Sequence, residues 1–197
     1  MNYIIDDKRK LTPPPEWRNE IDFVLIREDE ILTRIDEIAA QIQKEYENKE
    51  LMIVALLSGT ILFLADLVRR LNLPLRIDFL GISSYRTSTT SSEIKITRDL
   101  KLELSGRDVL IIDDILDTGN TMNITINKIA NLKPNSIKTC VLLDKPARRK
   151  INIKADYTGF EIPDYFVVGY GLDFAERFRN LPFIGVLKKE LYQQQTN

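Results

Sequence analysis

Val109-Leu-Ile-Ile-Asp-Asp-Ile-Leu-Asp-Thr-Gly-Asn-Thr121 is an apolar strand that runs into two adjacent carboxylates, then into a short polar loop that opens a helix. Residues Val109 to Ile112 are uninterrupted by polar groups, as expected of a strand covered on both faces. From Thr121 to Leu132 the apolar residues Met122, Ile126 and Ile129 recur on one helical face. Working outward, the same alternation reappears. Leu51 to Leu57 is wholly apolar, is ended by Ser58-Gly59-Thr60, and is followed by a second apolar segment to Val68. Leu75 to Ile82, Ile137 to Leu143 and Phe166 to Gly169 read as further strands, and Glu28 to Glu47 spaces Ile31, Ile35, Ile38 and Ile42 as an amphipathic helix. Strands alternating with helices predict an α/β fold, a mostly parallel twisted sheet flanked by helices. In such sheets ligands bind outside the carboxyl ends of the strands. The loops after Leu57, Ile112, Leu143 and Val168 are therefore where chemistry is expected.

A membrane-spanning alternative arises for Leu51 to Val68, which is about long enough to cross a bilayer. It is broken by Ser58-Gly59-Thr60 and carries Asp66 just before Arg69-Arg70, so strand, tight loop and helix fit better. The chain's 197 residues have the size of one globular domain, and no repeat or linker divides them. Pro13-Pro14-Pro15 marks an extended arm near the start. With 28 basic against 29 acidic residues, no global field announces a nucleic-acid or membrane partner, and any anion site must be local. The N-terminus turns charged before an apolar core of a leader can develop, so a cytoplasmic location is expected.

The chain contains no histidine, which excludes Ser-His-Asp and Cys-His catalysis and HExxH zinc sites. Its one cysteine, Cys140, lies in an apolar run and is expected to be an inert core residue. General base chemistry is left to a carboxylate, a lysine or a tyrosine.

The loop of the opening stretch has the parts of a sugar-phosphate site. Amides of Thr118, Gly119, Asn120 and Thr121 at a helix start, with the positive dipole end behind them, favour a phosphate. Gly119 permits close backbone approach, and the hydroxyls of Thr118 and Thr121 add donors. Asp113 and Asp114 can accept from a vicinal diol such as ribose hydroxyls, or help position a metal-bound substrate. An isolated Asp-Thr-Gly triplet is also an ordinary turn, with Asp117 or Thr118 as the helix cap. The sequence has neither GxxxxGK[ST] nor a GxGxxG after a strand, so the common ATPase and dinucleotide sites have no support.

The whole string, followed in order by three other segments, resembles the type I phosphoribosyltransferases, and within them the hypoxanthine-guanine branch. Those segments are Leu57-Ser-Gly-Thr60, Leu142-Leu-Asp-Lys-Pro-Ala-Arg-Arg149 and Gly159-Phe-Glu-Ile-Pro-Asp-Tyr-Phe-Val-Val-Gly-Tyr-Gly-Leu-Asp173. The resemblance runs from about Val54 to Leu187. It implies the type I fold, with a small hood formed by the terminal segments, roughly 1–20 and 160–197. It also implies a purine-salvage reaction between phosphoribosyl pyrophosphate (PRPP) and a 6-oxopurine, with Mg²⁺ as cofactor, in a homodimer or homotetramer.

Residue by residue, the resemblance places the general base for the purine at Asp117. Asp113, Asp114 and Thr118 to Thr121 would hold PRPP, with the backbone of Ser58 and Gly59 and the side chain of Arg179 at its pyrophosphate. Many relatives carry lysine where this chain has Ser58, so only the backbone role is carried over. Lys145 would donate to the 6-oxygen, Phe166 would stack on the base, and the Val167 backbone would read its edge. Asp173 would hold Mg²⁺, with Asp113 and Asp114 in indirect support. Ser84-Tyr85 and the polar residues to Glu93 resemble a loop that closes over the site. Without the family pattern, Lys145 reads as a solvated lysine of a basic loop, Phe166-Val-Val as plain core, and the loop as ordinary surface. A transferase for another base such as xanthine, and a non-catalytic PRPP-binding regulator, are the competing functions.

Overall fold

The computed structural model describes residues 3–87 and 91–193, with side chains outside 83–95. Its main sheet has seven strands, and their order follows from the connections. At its centre are β3 (Leu51–Leu57) and β6 (Asp108–Leu116), paired in parallel from Leu51↔Asp108 to Ala55↔Ile112. Outside β3 lie β4 (Leu75–Thr87), parallel to it, and β5 (Ser91–Arg98), antiparallel to β4. Outside β6 lie β7 (Ser136–Asp144), β8 (Tyr157–Glu161) and the short β1 (Tyr3–Ile4), each parallel to its neighbour. From β3 the chain winds outward one way, and from β6 the other. The topological switch therefore falls between these two strands, and a crevice opens at their carboxyl ends.

Helices cover both faces, as the runs of apolar strand residues require. On one face α1 (Glu28–Glu45) buries Ile31, Ile35, Ile38 and Ile42 and packs beside α2 (Ile61–Val68). The Glu30 carboxylate accepts the Arg27 amide at 3.0 Å, closing the first turn of α1. On the other face α3 (Asn120–Ala130) buries Met122 and Ile129 against Val109 and Ile111. Cys140 is fully buried in β7, and that burial pushes its thiol up, so it is the inert core residue expected.

A second, antiparallel sheet runs β2 (Ile21–Ile26), β10 (Ile184–Leu187), β9 (Val167–Val168) over its own apolar cluster. Here the strand expected at Phe166 to Gly169 shrinks to two residues and belongs to this sheet, not to the parallel one. Gly169, at φ 100°, turns the chain away. A short apolar run carries no mark of which sheet will take it. The N-terminal arm is divided, with Tyr3–Ile4 in the main sheet and Leu11 bridged to Val24 of β2. Among the described residues, no helix is long and apolar enough to cross a membrane.

Candidate active site

A pocket of about 740 Å³ lies at the switch point. Its floor is the end of β6, where Asp113 and Asp114 sit side by side, and one wall is the loop Asp117 to Gly119 with Thr121. Ser58 and Gly59 at the end of β3 form the opposite wall, and Asp173 and Arg179 reach in from the second sheet. Asn120, the first residue of α3, does not line this pocket; nor do Lys145, Phe166 and Val167.

Asp113 is buried and Asp114 half-buried, and the loss of water around them pushes both carboxyls above the ordinary aspartate range. For Asp113 the neighbouring charge of Asp114 adds to the rise, while hydrogen bonding to Asp113 favours the ionised form of Asp114. Asp113 is thus the more strongly raised of the two. Asp113 also accepts the Asp114 amide at 3.0 Å, and Asp114 accepts the Ile115 amide at 2.8 Å. Such a pair offers oxygens of two kinds to a diol.

The phosphate cradle is shaped by its glycine and held by the loop after β7. Gly119 occupies the cap position of α3 at φ 88°, with no side-chain cap bond, so neither Asp117 nor Thr118 is the helix cap. The Thr118 hydroxyl instead accepts the Asn120 amide at 3.3 Å, a long and weak bond. The first turn of a helix leaves its amides without intrahelical partners, so those of α3 are aimed at the loop. From behind, the Thr118 carbonyl accepts the amides of Lys150 and Ile151 at 2.9 and 3.2 Å. The Leu116 carbonyl accepts Lys145 N–H at 3.0 Å and Arg149 Nη2 at 3.3 Å. At φ 88° a side chain at Gly119 would be strained, and its Cβ would meet the Ile151 carbonyl oxygen at a tight 3.2 Å, so glycine suits the loop there.

The far wall depends on a meeting of two loops. The Leu57–Ser58 peptide is cis. Gly171, at φ 100°, lies so close to this turn that a Cβ on it would sit 1.9 Å from the Gly59 carbonyl oxygen. A Cβ on Gly59 would in turn meet Asp114 Oδ2 at 1.7 Å. Two glycines thus bring the turn after β3, the acidic pair and the second sheet together. Arg179 locks the arrangement, donating to the Gly171 carbonyl at 2.9 Å while pairing with Asp173 at 3.0 Å. The other Asp173 oxygen accepts the Glu176 amide at 3.0 Å.

Asp117 stands apart from these. Its Oδ1 is buried and has no hydrogen bond, although Arg148 Nε lies 3.3 Å away as an ion pair. Arg148 also reaches Asp164 at 3.8 Å, and Asp164 lies 3.5 Å from Lys145 Nζ. Lys145 is not the solvated lysine of a basic loop: its side chain is only 6% exposed. Four charged groups thus connect the phosphate loop to the segment before Phe166, and two of them, Arg148 and Asp164, carried no assignment from sequence. Their signal was adjacency alone, inside the Lys145–Arg149 and Gly159–Asp173 segments. Phe166 is 37% exposed and Val167 is buried in β9, so the expectation of plain core fails for the first and holds for the second. Because Leu187 N–H bonds the Phe166 carbonyl, the register turns the Val167 N–H and C=O away from β10, toward the free edge of the sheet. The side chains of Ser84 and Tyr85 lie outside the described residues; their backbone belongs to β4.

Among the described residues, no group of three or more His, Cys, Asp or Glu could hold a metal unaided. The set present, one Asp173 carboxylate that lines the pocket together with the acidic pair, fits an Mg²⁺ that shares its coordination with substrate phosphates and water.

Residues 27–175 match the model of the phosphoribosyl transferase domain family. The chain is 48% identical over 177 residues to a hypoxanthine-guanine phosphoribosyltransferase of Bacillus subtilis, covering 89% of this chain and 98% of that one. It is 46% identical over 193 residues to the bifunctional protein TilS/HprT of Listeria monocytogenes, spanning 98% of itself but 30% of that longer protein. A crystal structure of a hypoxanthine phosphoribosyltransferase from Staphylococcus aureus superposes with a TM-score of 0.85 at 45% identity, over 90% of this chain and 97% of that one. The chain belongs to the phosphoribosyl transferase family, in its hypoxanthine-guanine phosphoribosyltransferase branch.

Proposed function

We propose that this protein transfers the 5-phosphoribosyl group of PRPP to N9 of hypoxanthine or guanine, giving IMP or GMP and pyrophosphate. The observation that carries the assignment is Asp117, in the wall of the phosphate cradle, whose buried Oδ1 has no hydrogen bond, pairs with Arg148 at 3.3 Å and is linked through Asp164 to the buried Lys145. The start of α3, with Thr118, Gly119, Asn120 and Thr121, takes the 5-phosphate, and Asp113 and Asp114 accept the ribose hydroxyls. The backbone of Ser58 and Gly59 and the guanidinium of Arg179 take the pyrophosphate, where the fork of arginine matches phosphate oxygens. Asp173 would hold Mg²⁺, which when bound neutralises charge on the pyrophosphate.

On the base side, Phe166 stacks on the purine, Lys145 donates to its 6-oxygen, and the outward-facing main chain of Val167 reads its 2-position. As N9 bonds to the anomeric carbon and the bond to pyrophosphate breaks, the N7 proton becomes acidic and passes to Asp117. The protein contributes position and a dry, charged surround, and no covalent intermediate is required. Ser84 and Tyr85 would belong to a loop that closes over the site and excludes water. The antiparallel sheet with its flanking terminal segments is the hood, and the chain works as a cytoplasmic homodimer or homotetramer.

Purified protein supplied with Mg²⁺ and PRPP is expected to convert hypoxanthine and guanine to their monophosphates. Asp117→Asn is expected to lower kcat about 100-fold or more while leaving PRPP affinity within a few-fold. Tight PRPP binding without turnover of any purine would instead identify a regulator, and turnover of xanthine alone a different base specificity. Equal losses of kcat and PRPP affinity in Asp117→Asn would make that residue structural.

A further inference from the structure

Phe166 does not stand alone at the edge of the second sheet. The ring of Tyr192, from the short C-terminal helix α4 (Lys189–Gln193), lies flat against it, with centroids 4.7 Å apart and planes 17° from parallel. Phe174 meets Phe166 edge to face at 5.6 Å. Two rings stacked this closely leave no space for a third between them, so a base could not enter on the Tyr192 side. Yet Phe166 remains 37% exposed with Tyr192 in place.

We propose that Tyr192 is a positioning residue for the base: it backs Phe166 from behind and presents the opposite ring face to the purine. The proposal rests on the assignment of Phe166 as the base-stacking residue. Tyr192 suits a fixed backing better than a plug that swings away, because it is half-buried and, with Leu191, packs on the apolar cluster of the second sheet. The main chain between the two rings is pinned as well. Leu187 N–H donates to the Phe166 carbonyl and Lys188 N–H to the Glu20 carbonyl, both at 2.9 Å. A phenylalanine ring on an open sheet edge has several rotamers available. One stacked on Tyr192, with Phe174 in edge contact, has its ring plane set before the base arrives, and that ordering cost is removed from binding.

The test is steady-state kinetics of the full chain with hypoxanthine and PRPP. Tyr192→Ala is expected to raise KM for hypoxanthine by roughly threefold to tenfold, the range of one lost aromatic stack. Its kcat and its KM for PRPP should stay within twofold, and Tyr192→Phe should restore the wild-type value. In a Phe166→Ala background, Tyr192→Ala should have no further effect on hypoxanthine KM, a non-additivity that general destabilisation does not produce. A lower hypoxanthine KM in Tyr192→Ala would overturn the proposal and make Tyr192 a competitor for the base face. Equal rises in both KM values, or none, would overturn it too. If Phe166→Ala alone leaves hypoxanthine KM unchanged, the stacking assignment itself fails and the proposal falls with it. If Phe166→Ala raises KM and Tyr192→Ala does not, the role of Tyr192 alone fails.

Discussion

Asp113 is the residue at which stability and function pull in opposite directions. Its carboxyl is buried beside that of Asp114, and burial and the adjacent charge hold its pKa well above that of an aspartate in the unfolded chain. The folded protein therefore keeps a proton that the unfolded chain releases, so the stabilisation is full below the unfolded pKa and is lost as pH rises through the folded one. The slope is roughly 1.4 kcal/mol per pH unit for each extra proton held. Asp113→Asn keeps an oxygen to accept the Asp114 amide but has no proton to lose. The ligand-free variant is expected to melt at a higher temperature than wild type at pH 8, with the advantage shrinking steadily toward pH 4. A parallel offset at every pH in thermal denaturation would show that the carboxyl does not titrate with folding. The same substitution should weaken PRPP binding, because an amide offers a diol fewer acceptors. The acidic pair was legible in sequence as two carboxylates at a strand end. That their pKa values would be raised was not, since this depends on how closely the turn at Gly59 packs against Asp114.

Among the elements, the decisive contact is between two loops rather than two helices or strands. The turn after β3 and the turn after β9 approach until Gly59 and Gly171 touch, and that approach carries Arg179 and Asp173 to the acidic pair. Gly171→Ala imposes two costs, a side chain at φ 100° and a Cβ 1.9 Å from the Gly59 carbonyl oxygen. Gly106→Ala imposes only the first, since Gly106 has φ 64° and nothing within 4 Å of its would-be Cβ. Backbone strain of this type costs about 1–3 kcal/mol. The Gly106 variant is expected to lose that amount in denaturant unfolding and to keep its affinity for PRPP. The Gly171 variant is expected to lose at least about 2 kcal/mol more and to bind PRPP markedly less well. Equal losses of stability, with PRPP affinity intact in both, would show that the loops do not need to touch. Sequence made the strands and helices legible because Leu51–Leu57, Val109–Ile112 and the isoleucines of α1 follow periods set by burial. It left Phe166 to Gly169 in the wrong sheet, because two apolar residues have no period and the partner, β10, is itself only four residues long. Asp164 and Arg148 escaped notice for a related reason: their role comes from which charges the fold places beside them.

At the scale of the molecule, the site belongs to neither sheet alone. The parallel sheet supplies Asp113, Asp114, Asp117 and the cradle of α3, while Asp173, Arg179, Phe166 and Val167 come from the segment of the antiparallel sheet. Besides the glycine contact, the two are tied by the hydrogen bond of the Tyr170 hydroxyl to Asp66 at 2.5 Å and by the packing of Ile184 and Val186 into the main core. A ligand that touches both sheets must therefore stabilise their docking as well as occupy a pocket. For a single site, ligand at about 100 times its Kd adds roughly 2.7 kcal/mol to the folded state. In a domain of this size each kcal/mol is worth about 2–4 °C. Mg²⁺ with PRPP at that excess is expected to raise Tm by about 5–10 °C. At the same concentration, ribose 5-phosphate, which can fill the cradle and meet the acidic pair but lacks the pyrophosphate that reaches Arg179, should give a clearly smaller shift, because its apparent Kd lacks the contribution of the second sheet. Arg179→Ala should cut the PRPP shift toward that of ribose 5-phosphate and leave the ribose 5-phosphate shift unchanged in differential scanning calorimetry. Equal PRPP shifts in wild type and Arg179→Ala would show that the segment of the second sheet adds nothing to substrate binding.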